Sequence, residues 1–105
     1  MIRTIETGHW ITTIDAATVA ADVYLPQYET APLRPYTIHV LDDTAGVDLY
    51  PNGDADLGED ALADGSPAVG VNGAASLALT TGVWLVYRYC PDAAAARDWK
   101  AVQIA

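Results

Sequence analysis

The chain has little of what several kinds of protein require. Its 105 residues include one cysteine, Cys90, no phenylalanine, and only five lysine and arginine residues. A single cysteine cannot form an intrachain disulfide, so the sequence does not indicate a disulfide-stabilised secreted domain. No apolar run approaches the ~20 residues that cross a bilayer, and residues 1–14 lack the apolar core of a signal peptide. We therefore expect a protein that is made in a cytoplasm and does not enter a membrane.

The scarcity of cations leaves the chain strongly acidic. Fourteen Asp and Glu side chains give a formal net charge of −9, and residues 42–64 contain no lysine or arginine. A surface of this sign repels phosphate backbones and anionic lipids, which argues against direct binding to nucleic acid or membrane. Because 51% of the residues are apolar, the chain is not a disordered acidic tail, and its length suits a single domain.

No motif in the sequence indicates catalysis. Ser66 and Ser76 lie outside any nucleophile-elbow pattern, and the short run GVNG at residues 70–73 is too small to cradle a phosphate. The adjacent pair Asp42 and Asp43 would point to opposite faces of a strand and could not flank one substrate atom. We expect no enzymatic activity and no cofactor.

Metal binding is indicated only by a partial pattern. His9, His39 and Cys90 fall in three separate segments, so their spacing does not predict a zinc site. In the acidic segment, Leu57 stands where a calcium loop needs glycine and Ala63 where it needs glutamate, which excludes an EF-hand. A looser calcium site remains as the alternative to a solvated acidic loop. Its candidate ligands are Asp54, Asp56, Glu59 and Asp60.

Short segments rich in β-branched and aromatic residues alternate with glycine, proline, asparagine and aspartate, which is typical of all-β domains. The pattern predicts strands at residues 10–14, 18–25, 36–41, 47–50, 75–80, 83–90 and 99–104. Three prolines make residues 26–35 a rigid connector, and the alanine-rich residues 92–97 are too short for a stable helix. We predict one β domain over residues 1–105, a small antiparallel β-sandwich or barrel of about seven to eight strands with little or no helix. Residues 1–35 would form an N-terminal arm plus the proline-rich connector.

Tyrosine and tryptophan supply all the aromatic side chains. Both residue types combine a large apolar ring with a polar group, and both are enriched at protein interfaces. The strand predicted at residues 83–90 has one period-two face beginning at Val83 and the other at Trp84. The candidate interface residues are Trp10, Tyr24, Tyr28, Tyr36, Trp84, Tyr87 and Tyr89.

Several segments together resemble a family of small β modules in tailed-phage virions, such as capsid decoration proteins, head fibres and tail-fibre tips. The resemblance rests on a strand that ends in an Asp-Thr-Ala-Gly turn, a Gly-Ala-Ala-Ser strand, an alternating strand and a closing strand that begins with Trp. These features lie at residues 40–53 (VLDDTAGVDLYPNG), 73–79 (GAASLAL), 83–86 (VWLV) and 99–104 (WKAVQI). Residues 1–35 and the acidic insertion do not match the pattern.

The resemblance implies a capsid decoration (cement) protein that stabilises the shell through protein–protein contacts. Its partner would be the major capsid protein, and the chain would form a homo-oligomer, a trimer, on the capsid exterior after synthesis in the host cytoplasm. Two alternatives remain open at this point. One is another virion component, such as a head-fibre base, a tail or baseplate part or a receptor-binding fibre tip. The other is a cellular carbohydrate-binding β-sandwich module, for which Trp10, Trp84 and Trp99 would have to line an exposed platform.

Overall fold

A computed structural model describes residues 1–26, 28, 31–51, 70–74, 76–89 and 98–105. These residues form nine strands and no helix. The strands are β1 (Ile2–Thr4), β2 (Ile11–Asp15), β3 (Ala21–Tyr24), β4 (Tyr36–Asp42), β5 (Val47–Tyr50), β6 (Gly70–Val71), β7 (Leu77–Ala78), β8 (Gly82–Tyr89) and β9 (Asp98–Gln103). The prediction of an all-β chain is confirmed for the described residues.

Each of the seven predicted strands has an observed counterpart, and β1 and β6 were not predicted. The strand at residues 47–50 matches β5 at both ends. The strand predicted at residues 18–25 shortens to Ala21–Tyr24, because the Asp15 carboxylate accepts a hydrogen bond from the Ala17 amide (3.1 Å) and turns the chain there. The alanine-rich segment at residues 92–97 and the acidic loop that contains the calcium candidates lie outside the described residues.

The strands form two mixed sheets. The first, here called sheet 1, has the order β1-β3-β5-β7, and the second, sheet 2, has the order β2-β4-β8-β9-β6. Four pairings are parallel (β1 with β3, β3 with β5, β2 with β4, β6 with β9), and three are antiparallel (β5 with β7, β4 with β8, β8 with β9). The prediction of an antiparallel sandwich is therefore corrected to a mixed, sandwich-like pair of sheets.

The parallel pairings follow from the path of the chain. From β1 to β5, consecutive strands alternate between sheet 1 and sheet 2. Each crossing reverses the chain, so a strand returns to its own sheet after two crossings and runs parallel to the strand two positions earlier. Residues 1–26 thus contribute strands to both sheets.

The core lies where the two sheets face each other. Sheet 1 contributes Val23 and Leu49, and sheet 2 contributes Ile38, Val40 and Val86, all fully buried in one cluster. These residues alternate along their strands with exposed or half-buried neighbours, as the period of two requires. Burying each such side chain stabilises the fold by about 1.5–3 kcal/mol.

The turn between β4 and β5 has the chemistry that its sequence predicts. The Asp42 carboxylate accepts hydrogen bonds from the backbone N–H (2.8 Å) and the hydroxyl (2.5 Å) of Thr44, and these bonds hold the pKa of Asp42 below its usual value. Gly46 then takes a φ of 103°, a conformation that side chains with a Cβ rarely adopt. Asp42 and Gly46 together direct the chain from sheet 2 back to sheet 1.

Two isoleucines on neighbouring strands test the position of the core. Ile38 is fully buried, whereas Ile11 is 74% exposed. We expect Ile38→Ala to lower the free energy of unfolding by about 2–5 kcal/mol, because it removes buried contacts and leaves a cavity. Ile11→Ala is the matched control and should change it by less than about 0.5 kcal/mol. Urea denaturation measures both; similar losses for the two variants would contradict the assignment of the inward face.

Candidate functional site

The face of sheet 2 that points away from sheet 1, here called the outer face, is the candidate site. One row of paired residues crosses four strands and comprises Ile11, Thr37, Leu85 and Val102. A second row, from β2 to β8, comprises Thr13, His39 and Val83. Ile11, Val102 and the nearby Ile104 are 74%, 45% and 56% exposed. The outer face is therefore an apolar surface on one side of the molecule.

The charges of the outer face differ from those of the chain as a whole. The two rows contain no carboxylate, although the chain carries a net charge of −9. Lys100 on β9 is paired in register with Tyr87, in the row next to the first one. The two rows thus form an apolar patch without carboxylates, with Asp15 of β2 and Asp98 of β9 farther along the same face, and such a patch is suited to contact with another protein.

The sequence of β8 indicates this face, although the predicted interface residues, which were selected for their aromatic rings, do not include it. Both period-two faces of β8 are apolar: Trp84 and Val86 alternate with Val83 and Leu85. Val86 is fully buried and Trp84 packs against the core, so Val83 and Leu85 are left on the outer face. A strand that is apolar on both faces in a two-sheet protein exposes one of them, or covers it with a partner.

Three of the seven predicted interface aromatics instead join Trp99 in a chain of ring contacts through the interior. Trp10 stacks on Tyr36 at 5.1 Å between ring centroids, and Tyr36 meets Trp99 edge to face at 6.1 Å. Trp99 in turn meets Tyr28 edge to face at 5.9 Å. We call these four residues the aromatic chain. Tyr36 and Trp99 are fully buried and Tyr28 is buried, so these rings stabilise the fold from within.

Arginine side chains flank the aromatic chain at both ends. The guanidinium of Arg34 lies 4.4 Å from the centre of the Trp10 ring, and that of Arg88 lies 5.3 Å from the centre of the Tyr28 ring. Arg88 also donates a hydrogen bond to the Tyr28 carbonyl (2.7 Å). Within the described part of the chain, Arg88 Nε and Trp99 Nε1 are buried without a hydrogen-bond acceptor.

The remaining predicted interface residues do not share one surface. Tyr24 stacks on Tyr50 at 4.9 Å on the face of sheet 1 that points away from the core. Trp84 points inward and donates from its indole N–H to the Thr80 carbonyl (2.9 Å). Tyr87 is half-buried on the outer face of sheet 2, and the side chain of Tyr89 lies outside the described residues. The structure therefore does not place the six of these side chains that it describes on one common surface.

The other sequence-predicted sites find no assembled counterpart among the described residues. The calcium candidates Asp54, Asp56, Glu59 and Asp60 all lie outside them. In the described ranges, no three His, Cys, Asp or Glu side chains are close enough to hold a metal ion together. Nor do those ranges contain a helix long and apolar enough to span a membrane.

The three tryptophans do not share an exposed platform. Trp99 is fully buried, and Trp10 and Trp84 are partly buried and pack against the core. A sugar ring would need the open face of an indole, whereas the Trp10 ring already stacks on Tyr36 and carries the Arg34 guanidinium over it. The arrangement that carbohydrate binding by these tryptophans requires is absent from the structure.

The buried phenol of Tyr36 gives a pH-dependent test of the aromatic chain. Burial raises the pKa of Tyr36 despite the opposing effect of Arg88, and its hydroxyl donates to the Thr7 carbonyl (2.9 Å). In the unfolded chain this group ionises near pH 10, whereas the folded chain keeps its proton, so ionisation favours unfolding as the pH rises above about 10.

We expect Tyr36→Phe to cost about 1 kcal/mol at pH 7, the usual net contribution of one hydrogen bond. From about pH 9 to about pH 11, a range that brackets the ordinary tyrosine pKa of about 10, the free energy of unfolding of the variant should fall less than that of the natural chain. Urea titrations at each pH measure the difference. An equal alkaline loss in both proteins would show that Tyr36 does not carry the effect.

Comparison with known proteins adds no relative to these observations. No family model matches the chain, and no curated protein or solved structure is significantly similar to it. The geometry and charge of the outer face are therefore the evidence for its function.

Proposed function

We propose that the chain is a capsid decoration (cement) protein of a tailed phage and that the outer face of sheet 2 contacts the major capsid protein. The observation that carries the proposal is the exposed apolar outer face, free of carboxylates in its two rows, on a chain of net charge −9. The resemblance of residues 40–53, 73–79, 83–86 and 99–104 to virion β modules supports the same assignment.

The physical demands on a cement protein agree with this surface. Such a protein needs a flat, rigid face that removes apolar area from water when it docks, and it needs no catalytic group. The outer face is carried by four hydrogen-bonded strands, β2, β4, β8 and β9, and a sheet holds its side chains in fixed rows. The acidic residues 42–64 would then keep the exterior of the particle soluble.

The size of the outer face limits the strength of a single contact. Four strands about 4.8 Å apart and about five residues long, at about 3.3 Å per residue, present a footprint of about 300 Å². A typical stable interface buries about 800 Å² on each partner. One copy would bind weakly through this face alone, so we propose that the chain binds the shell as a homo-oligomer on the capsid exterior.

A charge placed on the outer face tests the contact. Val102→Glu puts a carboxylate in the first row, and its burial against the shell would cost binding energy. We expect the variant to lose binding to expanded capsids that lack the chain, and to lose the rise in capsid melting temperature that the natural protein produces. Co-sedimentation and differential scanning calorimetry measure the two effects.

Ile2→Glu provides the control for that experiment. Ile2 is 73% exposed on β1, in sheet 1, so the change adds the same charge on the opposite side of the molecule. It should leave capsid binding unchanged. Equal losses for both variants would refute the outer face as the contact, and failure of the natural chain to bind capsids would refute the cement function. Genes for a capsid protease, scaffold and major capsid protein beside the coding sequence would support it.

A further inference from the structure

Sheet 2 ends at one side in the free edge of β2. The Thr37 amide donates to the Trp10 carbonyl (2.8 Å), and β2 runs parallel to β4 in register from Ile11 to Ile14. In such a ladder the even-numbered residues of β2 bond to β4, while Ile11 and Thr13 direct their N–H and C=O groups away from it. No backbone group among the described residues bonds to that outward edge.

This edge lacks the features that keep edge strands from pairing. Residues 11–14 (ITTI) contain no charge and no proline, and the irregularity in the β2–β4 register comes only after Ile14. The other outermost strands are shorter: β1 has three residues, and β6 and β7 have two each. The β2 edge is therefore the longest open template for a further strand in the described structure.

We propose that β2 pairs antiparallel with β2 of a second copy of this chain, about a twofold axis at Thr12. In this register Ile11 of each copy lies opposite Thr13 of the other, and each of the two pairs exchanges two backbone hydrogen bonds. The two five-stranded sheets become one ten-stranded sheet. Because the described part of each copy has one such edge and the symmetry is isologous, assembly stops at the dimer.

Hydrogen-bond complementarity favours a second copy in this register. The residues that flank the uncharged stretch are His9 and Asp15, and the twofold axis at Thr12 places His9 of one copy opposite Asp15 of the other, at both ends. His9 Nδ1 accepts a hydrogen bond from the Glu6 amide (3.3 Å), which leaves Nε2 to face that carboxylate. In this register no two like charges lie opposite each other along the edge, although the whole chain has a net charge of −9.

The pairing also enlarges the small footprint of the outer face. Ile11 lies at the β2 end of the first row, so two copies joined at β2 present their outer faces side by side. The combined footprint doubles to about 600 Å² by the same strand spacings. The pair stands on the β2 edge alone and does not require that the partner of the outer face be a capsid. It replaces the trimer implied by the resemblance with a twofold dimer.

Two double variants of exposed β2 residues test the pairing and its register. Ile11→Lys with Thr13→Lys places lysine opposite lysine at both Ile11–Thr13 positions, and like charges directly opposite each other are destabilising. Ile11→Lys with Thr13→Glu changes the same two positions but places lysine opposite glutamate. Light scattering after size exclusion is measured at ionic strength ~0.15 M, where the Debye length is about 8 Å and repulsion between the two −9 chains is screened.

We expect the natural chain to have twice the chain mass at micromolar concentrations, the double-lysine variant to have the monomer mass, and the lysine–glutamate variant to remain dimeric. Circular dichroism and thermal unfolding establish that both variants are folded. A monomeric or trimeric natural chain, or the same mass for both folded variants, would overturn the proposal. If a double variant fails to fold, Thr13→Lys and Thr13→Glu alone are compared with the natural chain, and an unchanged dimer in both overturns it.

Different results would refute the proposed dimer and the proposed cement function. A dimer that does not bind capsids removes the cement function and leaves the pairing intact. A monomer that binds capsids and raises their melting temperature removes the pairing and leaves the cement function intact.

Discussion

The burial of Trp99 against Tyr36 is the contact on which much of the remaining structure depends. Trp99 is the first inward-facing residue of β9, and Tyr36 is the first inward-facing residue of β4. The centroids of the two rings lie 6.1 Å apart in the interior of the molecule. Tyr28, from the connector after β3, and Trp10, from the segment before β2, pack on the outer ends of this pair. The aromatic chain thus fastens two irregular segments to sheet 2 by ring packing.

That internal use of aromatic rings determines which surfaces are available for binding. Rings that pack on one another in the core cannot also anchor a partner, so the exposed apolar area of the outer face is aliphatic and includes Ile11, Val102 and Ile104. A sheet face of this kind offers broad, shallow complementarity. It suits lateral contact between rigid particles better than capture of a small ligand, which requires a concave pocket with converging polar groups.

The mixed pairing and the free edge have a common origin in the chain path. Because the first five strands alternate between the sheets, β2 has β4 on one side and, among the described residues, no strand on the other. An antiparallel meander would have paired β2 with its sequence neighbours instead. The same path places Ile11 and Thr13 at an open edge and next to the outer face, so the proposed pairing and the proposed capsid contact use adjoining parts of one sheet.

The sequence by itself determined that the described part of the chain is all-β, where seven of its strands lie, and the turn chemistry of Asp42 and Gly46. These properties are local, since periodicity and turn residues act over a few positions. Only the tertiary structure decided that the pairing is partly parallel, that Tyr28 and Tyr36 are buried, and that Val83 rather than Trp84 faces outward. Two apolar faces of one strand look alike in sequence, and which of them is buried depends on where the chain crosses between sheets.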